Sequence, residues 1–147
     1  QKKKVFMCFA LATNTSLLVM DEPSNGLDIP SKSQFRKVIA SGMTDEKAVI
    51  ISTHQVRDID SLLDHVVIID GTHVLLNESV KTICEKLYFV EQGMNESTDT
   101  ALYVQPSVQG NSVIFPNTYN EETNLNLEVL FNAMLTEREK MQFLFNK

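Results

Sequence analysis

Leu17-Leu18-Val19-Met20 is a short, unbroken apolar run ending in two carboxylates, Asp21 and Glu22, with Pro23 and the turn formers Ser24, Asn25 and Gly26 directly after it. A run that is apolar on both alternating faces and polar only at its carboxyl end suits a buried parallel strand whose tip carries function. Asp28 is placed to cap the next helix and Pro30 suits its first turn. Phe35, Val38 and Ile39 give that helix a buried face, and Gly42 ends it. Ala48 to Ser52 is a second apolar, β-branched run, again with a polar tip, Thr53 and His54. Strand, helix and strand in this order predict a βαβ unit.

Upstream, Lys2 to Ala12 reads as a helix buried on most sides after its basic start, broken by Asn14 to Ser16. Downstream, Val56 to Leu63 reads as a third helix. Asp70-Gly71 between the apolar runs His65 to Ile69 and His73 to Leu76 predicts a hairpin, in which both histidines are ordinary positions. Ser79 can cap a short helix through Lys86. After Lys86 the character changes. Gly93 to Thr100 is small and polar, and Leu102 to Val104 and Val113 to Phe115 read as short strands. The end is helical, with Leu127, Leu130, Met134 and Leu135 on one face and Thr136 with Glu139 as a capping box. Phe143-Leu144-Phe145 is expected to pack on this small α+β unit.

The chain has 147 residues, 43% of them hydrophobic, enough to bury a core without disulfides or structural metal. Its 13 basic and 19 acidic residues, a net charge of −6, argue against a nucleic-acid binder, which attracts phosphates through surplus Lys and Arg. Cys8 and Cys84 sit in apolar helical patterns and read as buried, reduced thiols. No apolar stretch approaches the roughly 20 residues needed to cross a bilayer. Residue 1 is Gln, and the chain enters a helical pattern with no lead-in, so a piece of a longer protein is the expectation.

Taken together, Leu17-Leu18-Val19-Met20-Asp21-Glu22-Pro23, then Ser24-Asn25-Gly26-Leu27-Asp28, then Ile51-Ser52-Thr53-His54 about 26 residues beyond Asp28 resemble the ABC-type ATPases. Walker B, D-loop and H-loop follow in the family's order. Gln1-Lys2-Lys3-Lys4-Val5 is similar to the last residue of the family's signature sequence and the helix after it. The resemblance implies an α/β fold, the C-terminal part of a P-loop NTPase parallel sheet over residues 1–86, followed by a small α+β extension over 87–147. It implies ATP and Mg²⁺, with Asp21 holding the metal through water and Glu22 polarising the attacking water. His54 is then the switch histidine at the γ-phosphate, Asp28 lies in the D-loop, and Gln1 lies at the signature helix that receives a partner's nucleotide. The implied partners are a second ATPase subunit in a homodimer and a membrane permease, at the cytoplasmic face of the plasma membrane.

A phosphate-binding loop needs Gly-x-x-x-x-Gly-Lys-Ser/Thr, and none of Gly26, Gly42, Gly71, Gly93 and Gly110 is followed by Lys. The chain alone is therefore expected to bind and hydrolyse ATP poorly. The rival reading is a non-enzymatic regulatory or dimerisation module of a larger protein.

Overall fold

A computed structural model describes residues 2–108 and 110–145. The chain is a mixed α/β protein that divides into two compact units, Gln1–Leu62 and Leu63–Lys147. This division falls earlier than the change of composition after Lys86.

The first unit holds α1 (Lys2–Ala12), β1 (Leu17–Asp21), α2 (Ile29–Gly42) and β2 (Ala48–Ser52). β1 and β2 pair in parallel, in the register Leu17↔Ala48 through Asp21↔Ser52, so the two polar tips arrive side by side. Asp28 caps α2 by accepting from the Ser31 amide at 2.9 Å. Such a cap satisfies one of the orphan amides of the first turn. Replacing Asp28 with alanine is expected to destabilise the unit by about 1 kcal/mol, with Asp28→Asn close to wild type, measured by urea denaturation.

The expectation of a strand buried on both faces is corrected. Leu18 and Val49 line one groove with Leu11, Val38 and Ile39 of the helices, and Met20 is buried. Side chains alternate along a strand, so Leu17, Val19 and Ile50 point to the other face, where Val19 is 65% exposed and Ile50 55%. The reading of α1 as a mostly buried helix is corrected in the same way: Phe6 is 72% exposed and Phe9 69%. Cys8 is exposed for this reason, whereas Cys84 is half-buried, its thiol pushed up by desolvation against an opposing backbone hydrogen bond with Leu125. Val38, expected on the buried face of α2, is also partly exposed, while Phe35 and Ile39 are buried.

The predicted third helix is two 3-10 turns, Val56–Asp58 and Asp60–Leu62. Asp60 takes the adjacent Ser61 amide with its own carboxylate at 2.7 Å, a local bond that competes with helix propagation. Gln55 at the start supplies no side-chain cap.

In the second unit β3 (His65–Asp70) and β4 (His73–Ser79) form the hairpin, turning at Gly71 with φ of 56°. His65 contacts Asn77 across the strands at 2.8 Å. Ser79 caps α3 (Val80–Lys86) through the Thr82 amide. β5 (Leu87–Gln92), β6 (Tyr103–Ser107) and β7 (Gly110–Pro116) make an antiparallel sheet in the order β5-β7-β6. β5 is absent from the sequence reading, although Leu87-Tyr88-Phe89-Val90 is a run of strand formers. Leu127, Leu130 and Met134 of α4 (Leu127–Thr136) and Met141 of α5 (Arg138–Phe145) are buried, with Ile83, Leu87, Val113 and Ile114 also in this core. Leu135 is partly exposed. The expected capping box does not form: the Thr136 hydroxyl donates back to the Asn132 carbonyl at 2.8 Å, inside the helix it was expected to follow. Lys86 donates to the Leu144 carbonyl at 2.7 Å and stacks on Phe145, while Phe143 is exposed.

Candidate functional site

The parallel register carries Asp21 opposite Ser52, and the Ser52 hydroxyl donates to the Asp21 carboxylate. One residue on, the Glu22 amide extends the ladder by donating to the Ser52 carbonyl at 2.8 Å. Glu22 itself turns to φ of 44°, a left-handed conformation that a non-glycine residue rarely adopts. Residues held there cluster at functional sites, and the Glu22 side chain reaches Thr53 and His54, just past the end of β2.

There the Glu22 carboxylate meets three donors. Oε1 accepts from the His54 amide at 2.9 Å and contacts His54 Nδ1 at 2.5 Å, and Oε2 accepts from the Thr53 hydroxyl at 2.9 Å. A carboxylate only accepts, so Nδ1 carries the proton, and Nε2 donates only when the ring is an imidazolium. Partial desolvation raises the Glu22 carboxyl, but the His54 and Thr53 hydrogen bonds and the histidine's charge together hold it below its ordinary value of 4.5.

That shift has a sign. With its pKa depressed in the folded state, Glu22 binds fewer protons folded than unfolded, so it contributes stability above pH 4.5 that is lost as pH falls through the lowered value. The thermal midpoint of the wild type relative to Glu22→Gln is therefore expected to shrink between pH 6 and pH 3. A gap independent of pH would contradict the contact.

The structure thus brings three of the sequence candidates, Asp21, Glu22 and His54, to neighbouring strand tips. His54 is 72% exposed and Glu22 26% by side chain. Asp28 lies after the loop as the helix cap, and Gln1 lies outside the described residues. Sequence reasoning noted Thr53 only as a polar tip. It missed Gln55 and Lys32, whose side chains meet at 3.0 Å, because nothing in the spacing links the start of α2 to the end of β2. Among the described residues, no group of three or more His, Cys, Asp and Glu could hold a metal, and no helix is long and apolar enough to cross a membrane.

A parallel strand pair joined through a helix, with its polar groups gathered at the carboxyl ends, is the α/β arrangement that places ligands beyond the strand tips. The relatives that this chain matches include ABC transporter ATP-binding proteins. It is 30% identical over 86 residues to the chelated iron transport system membrane protein YfeB of Yersinia pestis, covering 58% of this chain and 29% of YfeB. It is 29% identical over 90 residues to an uncharacterized ABC transporter ATP-binding protein of Methanocaldococcus jannaschii, 61% of this chain and 34% of that protein. It is 32% identical over 84 residues to the energy-coupling factor transporter ATP-binding protein EcfA2 of Staphylococcus aureus, 56% of this chain and 29% of EcfA2. The chain spans about a third of the length of the curated relatives it matches. No family model matches it.

Proposed function

We propose that this chain supplies the hydrolytic end of the nucleotide site of an ABC transporter ATPase. The observation that carries the reading is the meeting of Glu22 and His54 on adjacent parallel strand tips, beside Asp21. Residues 1–86 are the C-terminal portion of the ATPase domain in this reading, and 87–147 a small extension for regulation or dimer contact. The apolar residues on both faces of β1 and β2 support a larger parallel sheet, because such sheets are covered on both sides.

Asp21, an exposed carboxylate at the tip of β1, fits Mg²⁺ and would hold it through water. Bound there, Mg²⁺ supplies charge neutralisation for the phosphates of ATP. Ser52 fixes the Asp21 carboxylate. Glu22 accepts a hydrogen bond from the attacking water, polarises it through its negative charge and aligns it on the γ-phosphorus. His54 as imidazolium keeps Nδ1–H on Glu22 and offers Nε2–H to the γ-phosphate, joining water and phosphate through one ring. Asp28 and its loop face a second ATPase subunit in a homodimer, and turnover drives a membrane permease from the cytoplasmic side.

The phosphate cradle is not in this sequence, so affinity comes from a phosphate-loop half. Isothermal titration of the 147-residue chain with Mg-ATP is expected to show no micromolar binding. A polypeptide carrying this chain behind a phosphate-loop half is expected to bind and hydrolyse ATP. Micromolar binding to the chain alone, or an inert joined polypeptide, overturns the reading.

A further inference from the structure

Gln55 stands immediately after the proposed switch histidine, and its side chain and backbone face opposite tasks. Its Oε1 accepts from Lys32 Nζ at 3.0 Å, in the first turn of α2, and its Nε2 reaches Asn25 Oδ1 at 3.5 Å, in the loop after β1. Its backbone amide donates to Thr53 Oγ1 at 2.9 Å, which orients that hydroxyl so that its own proton points to Glu22. The neighbouring amide, that of His54, is the one bonded to Glu22 Oε1. The segment 53–55 follows the end of β2, where no ladder holds it, so these bonds are what set its path.

We propose that Gln55 is a positioning residue: its side chain ties α2 and the loop after β1 to the tip of β2, and thereby sets where Thr53 and His54 meet Glu22. The proposal rests on the hydrolytic reading for its consequence, though not for its geometry. Movement of the 24–28 loop is carried through Asn25 and Gln55 to the His54–Glu22 contact, so one event at the loop resets the pair.

Amide hydrogen exchange on the full 147-residue chain reads the geometry without nucleotide. Gln55→Ala is expected to speed exchange at the His54 and Gln55 amides roughly 3- to 10-fold, the loss of about one net hydrogen bond. The Ala48 amide, bonded to the Ser16 carbonyl at the far end of the strand pair, is expected to keep its rate. Lys32→Met should reproduce part of the effect, the double variant should add nothing beyond Gln55→Ala, and Gln55→Glu, which keeps the acceptor for Lys32 but loses the donor to Asn25, should restore protection in part. Unchanged exchange at His54, or acceleration shared equally with Ala48, overturns the proposal. In the joined ATPase, Gln55→Ala is expected to lower kcat on the order of 10-fold at unchanged KM. An unchanged kcat in an active background removes Gln55 from this role, whereas an inert wild type rejects the hydrolytic reading and leaves the exchange result to decide the geometry.

Discussion

Glu22→Gln in an ATPase containing this chain is expected to lower kcat by about 10²- to 10⁴-fold while ATP stays bound, trapping the nucleotide-loaded dimer. The substitution preserves shape and one acceptor oxygen, so an acceptor remains for the His54 amide or the Thr53 hydroxyl. It removes the negative charge. On the proposed reading the attacking water then loses the carboxylate that polarises it, and the imidazolium form of His54 loses the anion beside Nδ1. Because the change acts on the step that breaks the γ-phosphate bond, KM for ATP should barely move. Single-turnover assays with labelled ATP separate the two effects. Turnover within a few-fold of wild type would remove Glu22 from the reaction, and equal losses of binding and turnover would point to a collapsed strand tip instead.

Gly110→Ala carries the largest expected cost to the second unit. A Cβ on Gly110 would lie 2.1 Å from the carbonyl oxygen of Gln92, on the neighbouring strand, and 3.1 Å from its carbon. Both atoms are backbone. Relief therefore requires β5 and β7 to part where Gln92 faces Asn111, and the φ of 154° at Gly110 is one that L side chains rarely adopt. A loss of roughly 3 kcal/mol or more is expected, a large share of the ~5–15 kcal/mol that stabilises a typical domain. Urea denaturation followed by tyrosine fluorescence measures it, since Tyr88 and Tyr103 lie in this sheet. Gly42→Ala, with no atom within 4 Å of the added carbon, is the control expected to be neutral or slightly stabilising. Equal stability of the two variants would contradict the close approach of Gln92 and Gly110.

Local chemistry made much of the fold legible. β2 runs Ala48–Ser52 as its apolar run does, α2 starts from the Asp28 cap and ends at Gly42, and α3 follows Ser79 through Lys86. In each case the deciding interaction lies within a few residues of chain: a side-chain cap, a proline, a glycine, an alternation. The failures share a different cause. Val56 to Leu63 has helical spacing, yet Asp60 diverts its neighbour's amide. Thr136 looks like a cap for α5 and instead bonds the turn behind it. In both places two short-range hydrogen bonds of similar strength compete, and spacing does not rank them.

The candidate site divides along the same line. Sequence order determined by itself that two carboxylates end one apolar run and a histidine follows another, because residue type and strand period are written locally. The strand–helix–strand order already pointed to a parallel pair; only the tertiary structure decided the register that sets Asp21 beside Ser52, and that Glu22 takes a left-handed turn onto His54 and Thr53. It also decided which apolar residues are covered: Met20 is buried while Val19, its neighbour, is 65% exposed. The physical reason is that pairing register and burial depend on groups about thirty residues apart in sequence, whose contact forms only when the chain closes on itself.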